Sequence, residues 1–194
     1  MTTAQNTLEL NMLGVRSWVK EVLIILGASI IISLFAPIAI PLPFTPVPLT
    51  TQVHVIIFFG ALLGARRAAL AVCSFLAQGA MGLPVFAGCK GGFVYLLGPT
   101  GGYLLSYIAA AFVIGFLMEK VFKRTTTNAF FAMCIGNAVV YLIGLPWLSL
   151  YCGWKAAFQL GLLPFIAGDF LKLVLATKLL RLTHSFSQRS SLQN

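Results

Sequence analysis

Acidic residues are nearly absent from this chain of 194 residues. It contains 13 lysines and arginines but only four acidic residues, and charged residues make up 9% of the sequence. An ordinary soluble domain has about 25% charged residues. Hydrophobic residues make up 59% of the chain, and the mean hydropathy is +0.96. This composition excludes a water-soluble globular domain and indicates an integral membrane protein.

Other absences narrow the function. The chain has a single aspartate, and its three glutamates all lie near the predicted cytoplasmic side, so no carboxylate pair is available for general acid–base catalysis. His54 and His184 fall at opposite ends of the membrane, and the four cysteines lack metal-ligand spacing. We therefore predict no metal and no cofactor, and we predict that the chain is not an enzyme. An intramembrane enzyme is the less favoured alternative.

Apolar runs bounded by charge, glycine or proline predict an all-α membrane protein with six transmembrane helices. The predicted spans are 20–36, 49–64, 68–83, 101–121, 128–147 and 163–182. Only a Gly-Ala-Arg-Arg turn separates the second span from the third, and its basic pair places that turn at a membrane surface. We predict one membrane domain over residues 1–184 and a polar cytoplasmic tail over 185–194.

The basic residues predict the orientation of these spans, because cytoplasmic segments carry the excess of lysine and arginine. With the N-terminus inside, ten of the 13 basic residues are cytoplasmic, Lys90 and Lys155 are outside, and Lys172 lies within the sixth span. Both termini are therefore predicted to be cytoplasmic, in a multi-pass protein of the plasma membrane. The net charge of +9 follows from this topology, and no basic stripe with interleaved aromatics predicts a nucleic-acid partner.

Proline and glycine concentrate on the outer side of the predicted bundle. All nine prolines fall in external connections or at external helix ends, and eight glycines lie between Gly79 and Gly102. Irregular backbone at membrane depth is tolerated only where it is buried in protein or lines a cavity. The external loops are therefore predicted to shape an outward-facing pocket, with ordinary turns as the alternative interpretation of any single glycine or proline.

Two charges lie inside the sixth span. Asp169 precedes Lys172 by three residues, so both side chains project from one helical face. A charge near the bilayer centre costs about 3 kcal/mol on insertion scales, and such residues usually pair or mark a ligand path. Asp169 lies about 8 Å below the outer end of its helix at Pro164, as the rise of 1.5 Å per residue gives. A ligand site is the favoured interpretation, and mutual neutralisation for folding is the alternative.

Four stretches of the sequence, taken in order, resemble the BioY family, the biotin-binding S components of energy-coupling factor (ECF) transporters. They are the segments Pro41–Gln52, Gly82–Gly92, Gly98–Tyr103 and Pro164–Lys172. Each stretch is a weak signal alone, whereas the combination is specific. The resemblance implies a six-helix protein that captures biotin on its extracytoplasmic side, between the external loops and the outer halves of helices four to six.

By this resemblance, Asp169 and Lys172 match the ligand-contacting acid and lysine of the family, and Tyr103 matches an aromatic residue of the pocket. We assign Asp169 to the ureido N–H groups of biotin and Lys172 to a polar acceptor or the carboxylate. Lys90 is a second cation that could attract the carboxylate, with a solvated loop charge as its alternative. Further candidates that could wall or cap the pocket are Phe44, Gln52, Tyr95 and Trp147.

The resemblance also implies partners, since the chain contains no phosphate-binding loop of its own. These partners are a transmembrane coupling protein and two ATP-binding subunits of the ECF module. Ala28, Ser29 and Ser33 are predicted to form the docking face, because small residues at such spacing permit close helix approach. A solitary or homo-oligomeric biotin transporter is the alternative. A disulfide between the external Cys89 and Cys152 is left open.

Overall fold

The structure, a computed structural model, describes residues 3–40, 42–122 and 125–191, without the side chains of 3–16, 167, 171, 172 and 182–191. Within these ranges the chain is mainly helical, with one pair of two-residue strands. The elements are α1 (Thr3–Phe35), β1 (Ala39–Ile40), β2 (Leu49–Thr50), α2 (Gln52–Leu63), α3 (Ala65–Ala80), α4 (Phe93–Leu96), α5 (Gly101–Phe116), α6 (Thr126–Gly161) and α7 (Leu163–Ser191). A π-helix, Leu117–Val121, continues α5.

Three helical segments of the described chain are long and apolar enough to cross a membrane. They are Ser17–Phe35, Gly101–Val121 and the run Thr126–Arg181, which contains α6 and most of α7. Helix α2 is apolar but shorter. A mostly helical chain with several apolar helices agrees with the predicted class, whereas the count of six spans and the side on which each terminus lies stay predictions.

Helix α6 is longer than predicted. It continues through the segment 148–161, which the sequence analysis assigned to an external connection. Pro146 lies inside the helix without ending it, and the departure from helical geometry comes at Gly153, with φ 78° and ψ 161°. Glycine adopts this backbone conformation without the steric cost that a Cβ would add. The chain therefore bends at Gly153.

Helices α1 and α7 also extend beyond the predicted spans. Helix α1 begins at Thr3 rather than near residue 20, and α7 continues to Ser191 rather than ending near 182. No proline interrupts either extension, so nothing in the sequence forces the helix to stop. Most of the segment predicted as a polar tail is thus helical through Ser191.

The proline-rich segment between α1 and α2 forms a small hairpin. Its strands β1 and β2 pair antiparallel, with Ala39 opposite Thr50 and Ile40 opposite Leu49. The hydroxyl of Thr45 donates a hydrogen bond to the carbonyl oxygen of Leu160 at 2.7 Å. This bond ties the hairpin to the last turn of α6.

Helix α5 lies at the centre of the bundle and packs against α2, α3 and α6, while α7 packs against α6 and α2. Ala110 and Ala111 of α5 are fully buried, and a Cβ added at Gly115 would lie 2.1 Å from the backbone nitrogen of Ala65. Small residues at helix contacts let backbones approach closely, which favours packing where the hydrophobic effect between helices is weak. The glycines and alanines of α5 therefore set how tightly the bundle closes.

The small-residue face of α1 packs against α3. Ser29 is fully buried, and Gln78 Nε2 donates a hydrogen bond to its hydroxyl at 2.9 Å. The Ser33 hydroxyl donates to Gln78 Oε1 at 3.2 Å, and Ala28 is also buried. This face therefore contacts α3 within the chain, and the docking role of Ala28, Ser29 and Ser33 stays a prediction. The apolar residues that α1 leaves exposed include Leu23, Leu26, Ile30 and Leu34.

The turn between α2 and α3 lies about 18 Å from Gln52, as the 12 residues of α2 and the helical rise imply. Arg67 Nε donates a hydrogen bond to Glu21 Oε2 at 2.6 Å, joining α3 to α1. Glu119 Oε1 accepts a hydrogen bond from the backbone N–H of Ala65 at 3.3 Å. Two of the chain's four acidic residues therefore bind the start of α3, far from Asp169.

Candidate ligand-binding site

A cavity lies between the first turns of α2, α5 and α7, the inner part of α6 and the hairpin before α2. Its empty volume is about 620 Å³, counting the open mouth. Most of its wall is apolar or aromatic: Val47, Pro48, Leu49, Val53, Ala87, Tyr95, Tyr103, Leu104, Tyr107, Val140 and Phe165. Its polar side chains are Thr50, Gln52, Thr100, Asn137, Tyr141 and Asp169. Such a wall suits a mainly apolar ligand with one polar end.

Asp169 is the buried charge of this cavity, with 8% of its surface exposed. Tyr141 donates its hydroxyl to Asp169 Oδ2, and Asn137 Nδ2 donates to the same oxygen at 3.2 Å. The ring atom Nε2 of His54 lies 3.7 Å from the other oxygen, Oδ1, which is an ion-pair distance only if the imidazole is protonated. Oδ2 is thus held by two donors of α6, and Oδ1 keeps lone pairs for a ligand.

The residues that fix Asp169 come from two other helices. Asn137 and Tyr141 are spaced i, i+4 on α6 and therefore share one face of it. His54 is in the first turn of α2. Because all three side chains converge on one carboxylate, its orientation is set by packing between helices rather than by α7 alone.

Tyr103 lines one side of the cavity, and its role in ligand binding stays a prediction. It is 6% exposed, and its hydroxyl donates to the carbonyl oxygen of Gly161 at 3.1 Å. Its ring meets that of Tyr141 edge to face, with centroids 6.4 Å apart. A Cβ added at Gly144 would lie 2.5 Å from the Tyr103 ring, so the absence of a side chain there makes room for the ring. Tyr103 therefore has little freedom to move.

Gln52 and Tyr95, two further candidates, also line the cavity. Gln52 is the first residue of α2 and is 1% exposed. The Tyr95 ring stacks on the buried Phe86, with centroids 5.3 Å apart, and Lys90 Nζ lies 5.9 Å from the Tyr95 centroid. A cation over an aromatic face is a favourable contact. Tyr95 thus separates the cavity from an exposed lysine.

Lys90 lines a neighbouring cavity rather than the one that contains Asp169. This second space has an empty volume of about 660 Å³, also counting open solvent, and it shares Pro48, Ala87 and Tyr95 with the first. The backbone of the loop is held by paired hydrogen bonds between Phe86 and Lys90, at 2.8 and 3.3 Å. Lys90 is therefore next to the cavity wall, on its outer side.

Three predicted site residues are not part of the described cavity wall. Phe44 is 56% exposed on the hairpin. Trp147 donates its Nε1–H to the carbonyl oxygen of Gly98 at 2.9 Å and so supports the loop before α5 from outside the cavity. The side chain of Lys172 lies outside the described residues, although its backbone belongs to α7. The ligand-binding roles of these residues stay predictions.

Sequence reasoning missed the residues that hold Asp169. Asn137, Tyr141 and His54 were not among the candidate ligand residues, and neither were Tyr107 and Phe165 of the wall. A signal for the first two exists, since a polar pair at i, i+4 within an apolar helix marks one polar stripe. Nothing in the sequence says that this stripe faces Asp169, because the contact depends on how α6 and α7 pack.

The described cysteines and acidic residues offer no other chemistry. Cys89 and Cys152 are both free thiols and exposed, so the disulfide left open by the sequence is not formed in this structure. No group of three or more histidine, cysteine, aspartate or glutamate side chains within the described ranges is placed to hold a metal ion.

A family model described as the BioY family matches residues 3–189 of the chain. Curated relatives agree with it. The chain is 41% identical over 138 residues to "Biotin transporter BioY" of Thermotoga maritima, a match that covers 71% of this chain and 80% of the relative. It is 40% identical over 167 residues to the protein of the same name from Rhizobium etli, covering 81% and 89% of the two chains.

A solved structure has a similar fold along almost the whole chain. It is described as the S-component for biotin from an ECF-type ABC transporter. The TM-score is 0.78 at 29% sequence identity, and the match covers 95% of each chain.

Proposed function

Because this chain belongs to the BioY family, we propose that it is a membrane transporter that takes up biotin. The named relatives are transporters, which confirms the prediction that the chain is not an enzyme. The observation that carries the proposal to this chain is the Asp169 carboxylate, buried in a cavity whose wall is mostly apolar and aromatic.

Biotin has the chemistry that this cavity would complement. Its ureido group carries two N–H donors and a carbonyl acceptor, its thiophane ring and chain are apolar, and it ends in a carboxylate. Oδ1 of Asp169 would accept a hydrogen bond from a ureido N–H, since Oδ2 already accepts from Tyr141 and Asn137. The aromatic rings of Tyr95 and Tyr103 would pack on the apolar ring system.

Two cations are candidates for the other polar groups of biotin. Lys172 is one turn deeper on α7 than Asp169 and would donate to a polar acceptor of the ligand or to its carboxylate. Lys90 lies beyond Tyr95 on the outer side of the wall, where it would attract the carboxylate during entry. Phe44 and Trp147 would then act at a distance, by covering the mouth and by supporting the loop before α5.

We further propose that the protein captures biotin from the extracytoplasmic side. Support comes from the excess of lysine and arginine that the sequence places on the opposite side. Cys89 and Cys152 are exposed and belong to segments predicted to be external. A membrane-impermeant maleimide applied to intact cells should label both thiols without a reductant. Protection of both thiols until the cells are opened would contradict this orientation.

Transport requires an energy source that the chain does not contain, since its sequence has no phosphate-binding loop. We propose that it assembles as the S component with a transmembrane coupling protein and two ATP-binding subunits. The similarity to a structure described as an S-component of an ECF-type transporter supports this assembly. A solitary or homo-oligomeric transporter is the alternative, and biotin uptake by cells that lack the module would favour it.

The proposal is tested by binding of labelled biotin to the purified protein in detergent. We expect one saturable site that unlabelled biotin empties. A matched measurement in cells that lack other biotin uptake should show accumulation that requires this protein. Absence of specific binding by a monodisperse, thermally stable preparation would refute the proposed ligand.

A further inference from the structure

Two polar atoms of the cavity are buried without a partner from the described part of the chain. They are Gln52 Nε2, a donor, and Asn137 Oδ1, an acceptor. Both side chains line the cavity that contains Asp169, and Gln52 is 1% exposed. Buried polar groups in folded proteins are nearly always hydrogen-bonded, and leaving one unsatisfied costs free energy. A ligand that supplies the missing partners would recover that free energy.

The direction of the Asn137 amide is fixed by its neighbour. Its Nδ2 donates to Asp169 Oδ2 at 3.2 Å, so its Oδ1 is left as an acceptor. Asp169 Oδ1 is a second acceptor, because His54 Nε2 at 3.7 Å is beyond hydrogen-bond distance from it. The cavity therefore offers two acceptors, Asn137 Oδ1 and Asp169 Oδ1, and one buried amide donor, Gln52 Nε2.

This set is complementary to a cyclic urea, which presents two N–H donors on either side of one carbonyl acceptor. We propose that Gln52 and Asn137 determine specificity for the urea. Gln52 Nε2 donates to the urea carbonyl, while Asn137 Oδ1 and Asp169 Oδ1 each accept one ring N–H. The proposal rests on the proposed biotin function and deepens it, since it names the protein atoms that bind the ureido group of the ligand.

Because Gln52 donates to the urea carbonyl, the site should bind a cyclic urea more tightly than a cyclic guanidine. In 2-iminobiotin the carbonyl is replaced by an imino group that is protonated at neutral pH, as the arginine side chain is, so the acceptor becomes a donor. The Gln52 amide donor would then face the N–H donor of the imino group. Neither donor would have an acceptor, in a site that excludes water. A site built to hydrogen-bond one group rejects an analogue that lacks it strongly. Dethiobiotin lacks the sulfur but keeps the urea, and it should still bind.

The test is competition against labelled biotin by unlabelled biotin, dethiobiotin and 2-iminobiotin at pH 7.5. We expect the wild type to bind biotin at least about 100-fold more tightly than 2-iminobiotin. Gln52→Glu replaces the donor by an acceptor, so it should weaken biotin binding. It should also narrow the ratio of the two affinities at least about tenfold. The matched control is Gln159→Glu, the same change at an exposed position of α6, which should leave the ratio unchanged.

Gln52→Met separates the role of the donor from the effect of a new buried charge. This substitution removes the donor at similar side-chain volume, so it should weaken biotin binding. It should also narrow the ratio of affinities for biotin and 2-iminobiotin, because the donor that would face the imino group is gone. Asn137→Ala should instead weaken the binding of biotin and of 2-iminobiotin by a similar factor, since both ligands have the ring N–H groups. Thermal unfolding in detergent checks that each variant is folded.

The failure of each proposal gives a different result. A wild type that binds no biotin refutes the proposed function. A wild type that binds biotin, with an unchanged ratio in both folded Gln52 variants, leaves that function standing and refutes the assignment of Gln52 to the urea carbonyl. Equal affinity of the wild type for biotin and 2-iminobiotin would refute it as well.

Discussion

Replacing Asp169 by asparagine changes the charge of the cavity with almost no change of shape. In the wild type, Tyr141 and Asn137 both donate to Oδ2 of Asp169. Because both are donors, they will take the amide oxygen of the new side chain. The amide nitrogen must then replace Oδ1, the atom proposed to accept the ureido N–H. The ligand's donor would meet another donor where it now meets a carboxylate.

The expected loss follows from these contacts. A hydrogen bond to a charged group contributes about 1.5 to 3 kcal/mol, and leaving the facing donor unsatisfied costs about 1 kcal/mol more. Together they predict a loss of about 3 kcal/mol of binding free energy, or roughly 150-fold in Kd. The fold should tolerate the change, since the two donors of α6 keep an acceptor.

The assay is equilibrium binding of labelled biotin in detergent, with thermal unfolding of each variant measured in parallel. The control is Glu21→Gln, the same carboxylate-to-amide change in a pair with Arg67 whose Glu21 side chain is 38% exposed. Exposed ion pairs contribute about 0 to 1 kcal/mol, and this one is far from the cavity, so biotin affinity should stay within about twofold of the wild type. A folded Asp169→Asn variant within threefold of wild-type affinity would refute the proposed role of Asp169.

Two further predictions concern the residues that shape the cavity. Gly144→Ala should lower biotin affinity about tenfold, because the new Cβ would lie 2.5 Å from the Tyr103 ring and push it toward the ligand. The control Gly27→Ala, with no atom within 4 Å of its new Cβ, should bind normally, and equal affinity of both variants would contradict the reasoning. Trp147→Phe removes the 2.9 Å hydrogen bond to Gly98 and should lower the unfolding midpoint by about 2 to 4 °C. Its biotin affinity should change less than threefold, and a large loss would place Trp147 in the site.

The candidate residues that the structure brings together at the cavity are those whose position depends mainly on their own segment. Asp169 stands out because a charge within an apolar helix is costly and needs a partner or a ligand. Tyr103 and Gln52 are near the starts of α5 and α2, Tyr95 is in the short helix α4, and all three line the cavity. Phe44, on the hairpin, stays exposed, since the side of a hairpin that a residue occupies depends on pairing.

The contact between α1 and α3 could not be predicted from the sequence, for a different physical reason. Small residues at close spacing predict that a helix will approach this face, but they do not say which helix. In this chain the partner is α3, through the hydrogen bonds of Gln78 with Ser29 and Ser33. Gln78 is 45 or more residues away from these serines in the sequence, so the periodicity of α1 alone cannot indicate the contact.

The length of α6 was misjudged because proline is a statistical rather than an absolute helix stop. Pro146 removes one backbone donor, and the helix continues past it until Gly153 takes a positive φ. The extra turns bring Gly161 to the hydroxyl of Tyr103. Gly161, which lines the cavity, therefore comes from a segment that composition assigned to a loop.

By itself, the sequence determined that this is a helical membrane protein with an aspartate inside its last apolar helix. Hydropathy and charge suffice for that, because the cost of placing polar groups in lipid acts on each segment separately. Only the tertiary structure decided that Asn137, Tyr141 and His54 surround Asp169. It also decided that Gln52, whose Nε2 donor is unpaired, lines the same cavity. Those contacts join α2, α6 and α7, and they depend on the rotation and approach of helices, which local sequence does not specify.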